Sequence, residues 1–290
     1  MATLHADRVP GSPRLRQGES PRFDTRTQEL YWVDAATGRL LTGRLGPTGL
    51  QPGLTVDLPR IGCAAALADH RLGWVVAGAD CLWWVRRDGS TRLLIDGITP
   101  DQTRFLADGT VAADGSLWVG SQTSPRRPAG ALHRITPQLR VETVLEGVTV
   151  SNGIAFHGET MYYVDTLPHR RLERFRVHGG RLHDRTTVCG ITDGSPDGIA
   201  VDDEGAVWVA VWGAGQVRRH DPDGRLLDTV LVPARLPSAV ALCGHELVIT
   251  TARHDSAEDD AGGYLHAVTV PVPGPGALPF AADPRGLTTR

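Results

Sequence analysis

Two carboxylates and one carboxamide stand at matching places in a repeated pattern of this 290-residue chain. Glu19, Asn152 and Asp197 each lie nine to eleven residues before a short hydrophobic strand core. Their oxygen atoms suit Ca²⁺, Mg²⁺ or Mn²⁺ better than a thiophilic ion, and the carboxylates would also accept Zn²⁺. If the fold brings the three side chains together, they would form a hard-cation site.

The strand cores that follow these residues recur at intervals of 40 to 46 residues. Such a period, with an aromatic residue in most cores, is typical of blades stacked radially in a propeller. We therefore predict an all-β, six-bladed β-propeller with four-stranded blades, forming a single domain over residues 1–290. The six cores begin at Leu30, Leu72, Leu117, Met161, Val207 and Leu247.

The segments before the cores position the candidate ligands. We interpret them as equivalent loops between blades, which in a propeller point at the central axis from six directions. Taken alone, Asn152-Gly153 is an ordinary turn dipeptide, and 195–198 reads as an ordinary loop. The shared register of the three oxygen donors is what favours a common site over separate structural roles.

Composition excludes several classes of partner. The formal net charge is −3 and every cationic side chain is arginine, scattered along the chain, so no basic field for nucleic acid is expected. No apolar run reaches the roughly 20 residues that a bilayer requires, and the first residues lack the apolar core of a secretion signal. The four cysteines have no C-x-x-C spacing. We expect a cytoplasmic protein with reduced cysteines and a small-molecule partner.

Three ordered motifs resemble one known family. They are G-E-S-P at 18–21, S-N-G-I-A-F at 151–156 and P-D-G-I-A-V at 196–201. Together they are similar to the gluconolactonase/regucalcin (senescence marker protein, luciferin-regenerating enzyme) family. The resemblance implies a six-bladed propeller with one divalent cation held by Glu19, Asn152 and Asp197. It also implies hydrolysis of a sugar lactone or related ester, with Asp197 as catalytic base.

The chemistry expected of such a site is metal-assisted acyl transfer to water. A cation bound to the lactone carbonyl would polarise it and stabilise the oxyanion as water adds. Either Asp197 or a metal-bound hydroxide would supply the nucleophile, and both remain open at this point. Ca²⁺ is the favoured ion, with Zn²⁺, Mn²⁺ and Mg²⁺ as alternatives. No G-x-S-x-G motif is present, which argues against a serine hydrolase.

The third blade departs from the family pattern. Relatives usually carry Arg-x-Asn-Asp-Gly there, whereas this chain reads R-F-L-A-D-G at 104–109. The resemblance assigns Arg104 and Asp108 to substrate binding, but Arg104 is displaced by one residue and Ala107 replaces the asparagine. A site without that amide gains little from substrate hydroxyls. We therefore expect a more apolar lactone or ester to be favoured over a polyhydroxylated one.

Two alternatives compete with the enzyme. The first is a non-catalytic propeller that binds a divalent cation or a ligand, because the three oxygen donors would be retained even without turnover. The second is a scaffold propeller that binds another protein over one face. Three axial oxygen donors in register argue against the scaffold, which has no need of them. They do not separate the enzyme from the binding protein.

Overall fold

The computed structural model describes residues 1–59, 63–69, 71–99, 103–254 and 260–282, in which all regular structure is β-strand. Strands β1 (Ala2–His5) and β2 (Asp7–Arg8) precede the first blade. Within the described ranges, no helix long and apolar enough to cross a membrane is found.

Four blades are antiparallel sheets of four consecutive strands. In the first two, the strands are β3 (Gly18–Asp24), β4 (Glu29–Asp34), β5 (Arg39–Gly46), β6 (Gly49–Asp57), β7 (Ala64–Asp69), β8 (Gly73–Gly78), β9 (Cys81–Val85) and β10 (Thr91–Ile95). In the next two, they are β11 (Arg104–Val111), β12 (Leu117–Thr123), β13 (Gly130–Ile135), β14 (Val141–Val148), β15 (Ser151–His157), β16 (Thr160–Asp165), β17 (Arg171–His178) and β18 (Arg181–Gly190).

The last two blades each include a strand from the beginning of the chain. The fifth consists of β19 (Ser195–Val201), β20 (Val207–Trp212), β21 (Gln216–His220) and β22 (Leu226–Leu231), with β1 added in parallel to β22. The sixth consists of β23 (Pro237–Thr251) and β24 (His266–Gly274), with β2 added antiparallel to β24. β23 folds back on itself, since the Ala252 amide donates to the Leu236 carbonyl at 3.0 Å. It thus supplies two strands, and the predicted six-bladed propeller is confirmed.

Bulky side chains of the second strand in successive blades fill the space between blades. One aromatic residue in each of the first five blades is almost completely buried there, because the faces of neighbouring sheets must pack against each other across the ring. The predicted cores therefore coincide with β4, β8, β12, β16, β20 and the second half of β23. The buried aromatic residues of the first five of these strands include Trp32, Trp74, Trp118, Tyr163 and Trp208.

The proline- and glycine-rich segment at 271–284 contributes to two parts of the fold. Residues 271–274 belong to β24, and the N-terminal strands close the ring. Residues 275–282 cross one end of the innermost strands, where Ala277 donates to the Phe23 carbonyl at 2.8 Å. Positions 283 and 284 lie outside the described residues.

Candidate functional site

The candidate ligands lie on the innermost strands, not in loops between blades. Glu19 is on β3, Asp108 on β11, Asn152 on β15 and Asp197 on β19. Each stands where the pairing register with the second strand shifts. Such an irregularity re-aims side chains out of the regular alternation of the sheet. Four blades thus carry a polar side chain at an equivalent irregularity of the innermost strand.

Two glycines show why these motifs looked like turns in the sequence. A Cβ atom at Gly153 would lie 2.6 Å from the Asp197 carbonyl oxygen, and one at Gly198 would lie 2.4 Å from the Cβ of Ala239. Both distances are too short for any other residue to be accommodated without movement. These glycines permit neighbouring innermost strands to approach closely, so the interpretation of Asn152-Gly153 as a turn dipeptide is wrong.

A cavity of about 730 Å³ opens at this end of the channel. Part of its wall is apolar and is formed by the third-blade segment at Phe105, Leu106 and Ala107. The remaining wall is mainly polar or small. Its further lining residues are Gln17, Glu19, Ala35, Cys63, Ala79, Asp108, Gln122, Arg126 and Asn152.

Hydrogen bonds fix the orientation of the Asn152 carboxamide. The Thr166 hydroxyl donates its only proton to the Pro196 carbonyl at 2.8 Å. Thr166 Oγ1 therefore accepts from Asn152, whose Nδ2 lies 2.7 Å away. Because the amide nitrogen is engaged with Thr166, the carbonyl oxygen is the atom that Asn152 offers to a cation.

Glu19 lies against the cavity with one side-chain partner, Gln17, whose Nε2 donates to Glu19 Oε1 at 3.0 Å. Burial, together with the negative charge of Asp108, raises the pKa of the Glu19 carboxyl to about 8, although the Gln17 hydrogen bond and the Arg22 charge act in the opposite direction. Desolvation opposes the charged form of an acid unless a cation is close.

Asp108 is paired with a cation from another blade. Arg22 Nη2 lies 3.5 Å from Asp108 Oδ1 and donates to the Gly109 carbonyl at 2.6 Å. The Gly109 amide donates to the same Asp108 oxygen at 2.8 Å. Burial raises the pKa of Asp108, and the Arg22 charge opposes this effect. The first and third blades are therefore joined by a charge pair beside the cavity.

Asp197 is 8% exposed and, unlike Glu19, Asp108 and Asn152, is not among the residues that line the cavity. Burial raises its pKa well above the usual range, and the charges of Glu19 and Asp108 raise it further. The Gly198 amide and the Arg126 charge act in the opposite direction. Three buried carboxylates thus repel one another, with the charge of Arg22 acting on Asp108 and that of Arg126 on Asp197.

This donor set fits a hard divalent cation. A cation among the acids would offset their repulsion and the cost of burying them, and carboxylate and amide oxygens are the ligands that Ca²⁺ prefers. No group of three His, Cys, Asp or Glu residues arranged to hold a metal is found among the described residues. A cation here would therefore depend on the Asn152 oxygen as well as on carboxylates.

Arg104, to which the resemblance assigns a role in substrate binding, is not among the residues that line this cavity. It lines a separate cavity of about 670 Å³ together with His133 and Glu146. The displacement by one residue, visible in the sequence, carries the side chain to a different face of a strand, because successive strand residues alternate. Asp108, in contrast, lines the predicted cavity.

Several cavity residues escaped the sequence analysis. Gln17, Gln122 and Arg126 line the cavity but belong to no motif of the sequence, and neither does Arg22, which contacts Asp108 beside the cavity. Cys63 and Ser238 each stand nine residues before a strand core, in the same register as the oxygen donors, and Cys63 lines the cavity. Ser238 has a structural role, since its hydroxyl donates to the Gly18 carbonyl at 2.6 Å. The periodicity could have identified Cys63, but not the arginines.

Comparison with known proteins gives a family and a set of relatives. The family model described as "SMP-30/Gluconolactonase/LRE-like region" matches residues 17–253. The chain is 31% identical over 300 residues to L-arabinolactonase of Azospirillum brasilense, covering 98% of this chain and 97% of the relative. It is 34% identical over 275 residues to 6-deoxy-6-sulfogluconolactonase of Pseudomonas putida, covering 89% and 92%.

The fold is shared with a solved structure of a calcium-binding protein, regucalcin, from Agrobacterium tumefaciens strain C58. The TM-score is 0.87 at 23% sequence identity, and the superposition covers 97% of this chain and 99% of the other. At this identity the likeness establishes the common propeller architecture.

Proposed function

Because the chain belongs to the SMP-30/Gluconolactonase/LRE-like family, we propose that it is an enzyme that hydrolyses a lactone in the cavity lined by Glu19, Asp108 and Asn152. The observation that carries the proposal is the convergence of polar side chains from four innermost strands on one end of the channel. The names of the curated relatives, an L-arabinolactonase and a 6-deoxy-6-sulfogluconolactonase, support the reaction class.

Glu19, Asn152 and Asp197 would hold one divalent cation, with Ca²⁺ favoured and Mg²⁺, Mn²⁺ and Zn²⁺ as alternatives. When bound, the cation would polarise the lactone carbonyl and stabilise the charge that develops on its oxygen. The fixed carboxamide of Asn152 and the mutual repulsion of the acids both support this assignment. Because Asn152 Nδ2 donates to Thr166, the Asn152 carbonyl oxygen remains available to the cation.

Asp197 would act as general base. It would take a proton from the attacking water as the new C–O bond forms, and return it to the ring oxygen as the C–O bond of the lactone breaks. The product is a hydroxy acid, so atoms and charges balance without a further reactant. Asp108, held by Arg22, would accept a hydrogen bond from a substrate hydroxyl on the same side of the cavity.

The apolar part of the cavity wall affects which lactone the site would prefer. Leu106 and Ala107 present no side-chain donor or acceptor where relatives carry an asparagine, so substrate hydroxyls facing this wall would lose their water partners without compensation. We propose a lactone with an apolar face toward the third blade. A far better rate with gluconolactone or a pentonolactone than with an alkyl lactone would contradict this preference.

The test of the proposal is acid release from a panel of lactones by the purified protein. Chelator should abolish turnover, and one divalent ion should restore it. Asp197→Ala should lower kcat at least about 10³-fold with little change in folding, because a proton acceptor is lost at the reacting atoms. Asp193→Ala is the matched control, since this exposed carboxylate pairs with Arg218 at the rim of the same blade.

Full activity in Asp197→Ala would remove the site proposed here. Turnover that is insensitive to chelator would reject the cation while leaving lactone hydrolysis in place. Cation binding without turnover of any lactone would favour the non-catalytic propeller instead.

A further inference from the structure

Arg126 stands on a loop whose backbone is held in place. The loop joins β12 to β13, and the Ser124 amide at its start donates to the Thr103 carbonyl at 2.9 Å. The Thr123 hydroxyl donates to the Pro125 carbonyl at 2.9 Å and accepts from the Arg127 amide at 3.1 Å. The position of Arg126 at the cavity is therefore set by the fold of this loop.

The Arg126 side chain is exposed, and in the described part of the chain its guanidinium has neither an ion-pair nor a hydrogen-bond partner, although its charge lowers the pKa of Asp197. No carboxylate there forms an ion pair with it, and no hydrogen bond engages it, although it lines the cavity. Arg22, the other arginine close to the acids, is held by Asp108 and by the Gly109 carbonyl. Arg126 is thus a positive charge at the cavity that no ion pair or hydrogen bond holds, and its donors are available to a ligand.

The balance of charge around the cavity favours an anion at Arg126. Three carboxylates are offset by Arg22 and, under the proposed function, by a divalent cation, which together cancel the three negative charges. The Arg126 charge then remains uncompensated. A guanidinium presents paired N–H donors that match a carboxylate, so an anionic substituent on the substrate would complete the arrangement.

We propose that Arg126 is a specificity-determining residue that selects a lactone bearing a carboxylate or a similar anionic group remote from the ring carbonyl. The inference rests on the proposed function, because it assigns the substrate class of the same cavity. The carbonyl would lie at the acids and the anionic group at the loop. The part of the substrate between them would cross the wall formed by Phe105 and Ala107.

The test uses two lactones of the same ring and stereochemistry that differ only in a terminal group, hydroxymethyl or carboxylate. The unaltered protein should prefer the carboxylate lactone. In Arg126→Gln, kcat/KM for that lactone should fall about tenfold or more, mainly through KM, as expected when a charged hydrogen bond is lost. The value for the neutral lactone should change less than about twofold, since no charge pair is involved.

Arg127→Gln is the matched control, because Arg127 is exposed on the same loop and is not among the cavity residues. An equal loss in both variants would overturn the proposal, since it would show a general effect of loop charge. An unchanged ratio of the two substrates in Arg126→Gln would overturn it as well.

A binding measurement separates this inference from the proposed function. Calorimetric titration of the unaltered protein with the hydroxy dicarboxylate and the hydroxy monocarboxylate formed from the two lactones needs no turnover. Tighter binding of the dicarboxylate, lost in Arg126→Gln, would support the role of Arg126 even if neither lactone is hydrolysed. Equal binding of both acids would overturn it even if both lactones are hydrolysed.

Discussion

One hydroxyl proton determines what Asn152 can bind. Thr166 donates to the Pro196 carbonyl and so accepts from Asn152, which turns the amide oxygen away from this network. The same residue read alone in the sequence is a common turn former. Its chemical role depends on a partner in the next strand and on a carbonyl in the next blade, and neither relation appears as a local pattern.

A buried histidine, His133, makes the stability of the fold depend on pH. His133 is 3% exposed, with Nε2 3.1 Å from Ser121 Oγ and Nδ1 3.3 Å from Thr143 Oγ1. Burial, reinforced by the positive charge of Arg104, lowers the pKa of His133 to about 4. Unfolding exposes the imidazole and restores its ordinary value, so the unfolded chain binds the proton more readily.

The contribution of His133 to stability is therefore complete above pH 6.5 and is lost as the pH falls toward 4. Between pH 7 and pH 4.5 we expect about 2 to 3 kcal/mol of the free energy of unfolding to be lost through this group. Urea unfolding of the unaltered protein and of His133→Gln at both pH values measures the difference. The variant should show a smaller pH dependence, and the exposed His183→Gln should not. Equal pH dependence in all three would reject this account.

At the scale of the strand, an irregularity in pairing recurs at equivalent positions of four innermost strands. The repeat period made the shared register of Glu19, Asn152 and Asp197 visible in the sequence. It did not show that they lie on strands, because the glycine that follows Asn152 or Asp197 mimics a turn signal. Glycine is required because the neighbouring blade lies so close, and the sequence of one segment does not show that contact.

This close approach predicts a cost for even one methyl group. In Gly153→Ala the new Cβ would meet the Asp197 carbonyl oxygen at 2.6 Å and the Ile199 Cγ2 atom at 2.8 Å. We expect a loss of about 1 to 3 kcal/mol in the free energy of unfolding, as for other overpacked sites. Chemical denaturation measures it.

Gly190→Ala is the control for this substitution. A Cβ there would meet nothing within 4 Å, and Gly190 does not require a positive φ. A neutral or slightly stabilising effect is expected. If Gly153→Ala is equally neutral, the innermost strands have room to separate and the proposed packing constraint is wrong.

At the scale of the whole molecule, the ring depends on segments far apart in sequence. The number of blades followed from periodicity, because each blade repeats one pattern of strands. The manner of closure did not, since β1 and β2 are short and carry no distinctive motif. The position of Arg126 could not be predicted either, because its loop is positioned by contacts with other segments of the chain.

Phe280 tests how much the segment that crosses the channel contributes. It is 1% exposed and belongs to a core cluster with Val111 and Leu117. Phe280→Ala should lower the free energy of unfolding by about 3 to 5 kcal/mol, as truncation of a buried aromatic residue does. Leu278→Ala, at a position that is 46% exposed, should change it by less than about 1 kcal/mol. Comparable losses would mean that the segment does not anchor through Phe280.

The same segment makes the two ends of the channel different. Residues 275–278 line the end opposite the acids, where only a cavity of about 180 Å³ lies between them and the innermost strands. Under the proposed function, an arriving lactone and a departing hydroxy acid would then share the opening of the cavity at the acids. The product would have to leave before the next substrate molecule could bind, and accumulated product would compete with the substrate for the same cavity.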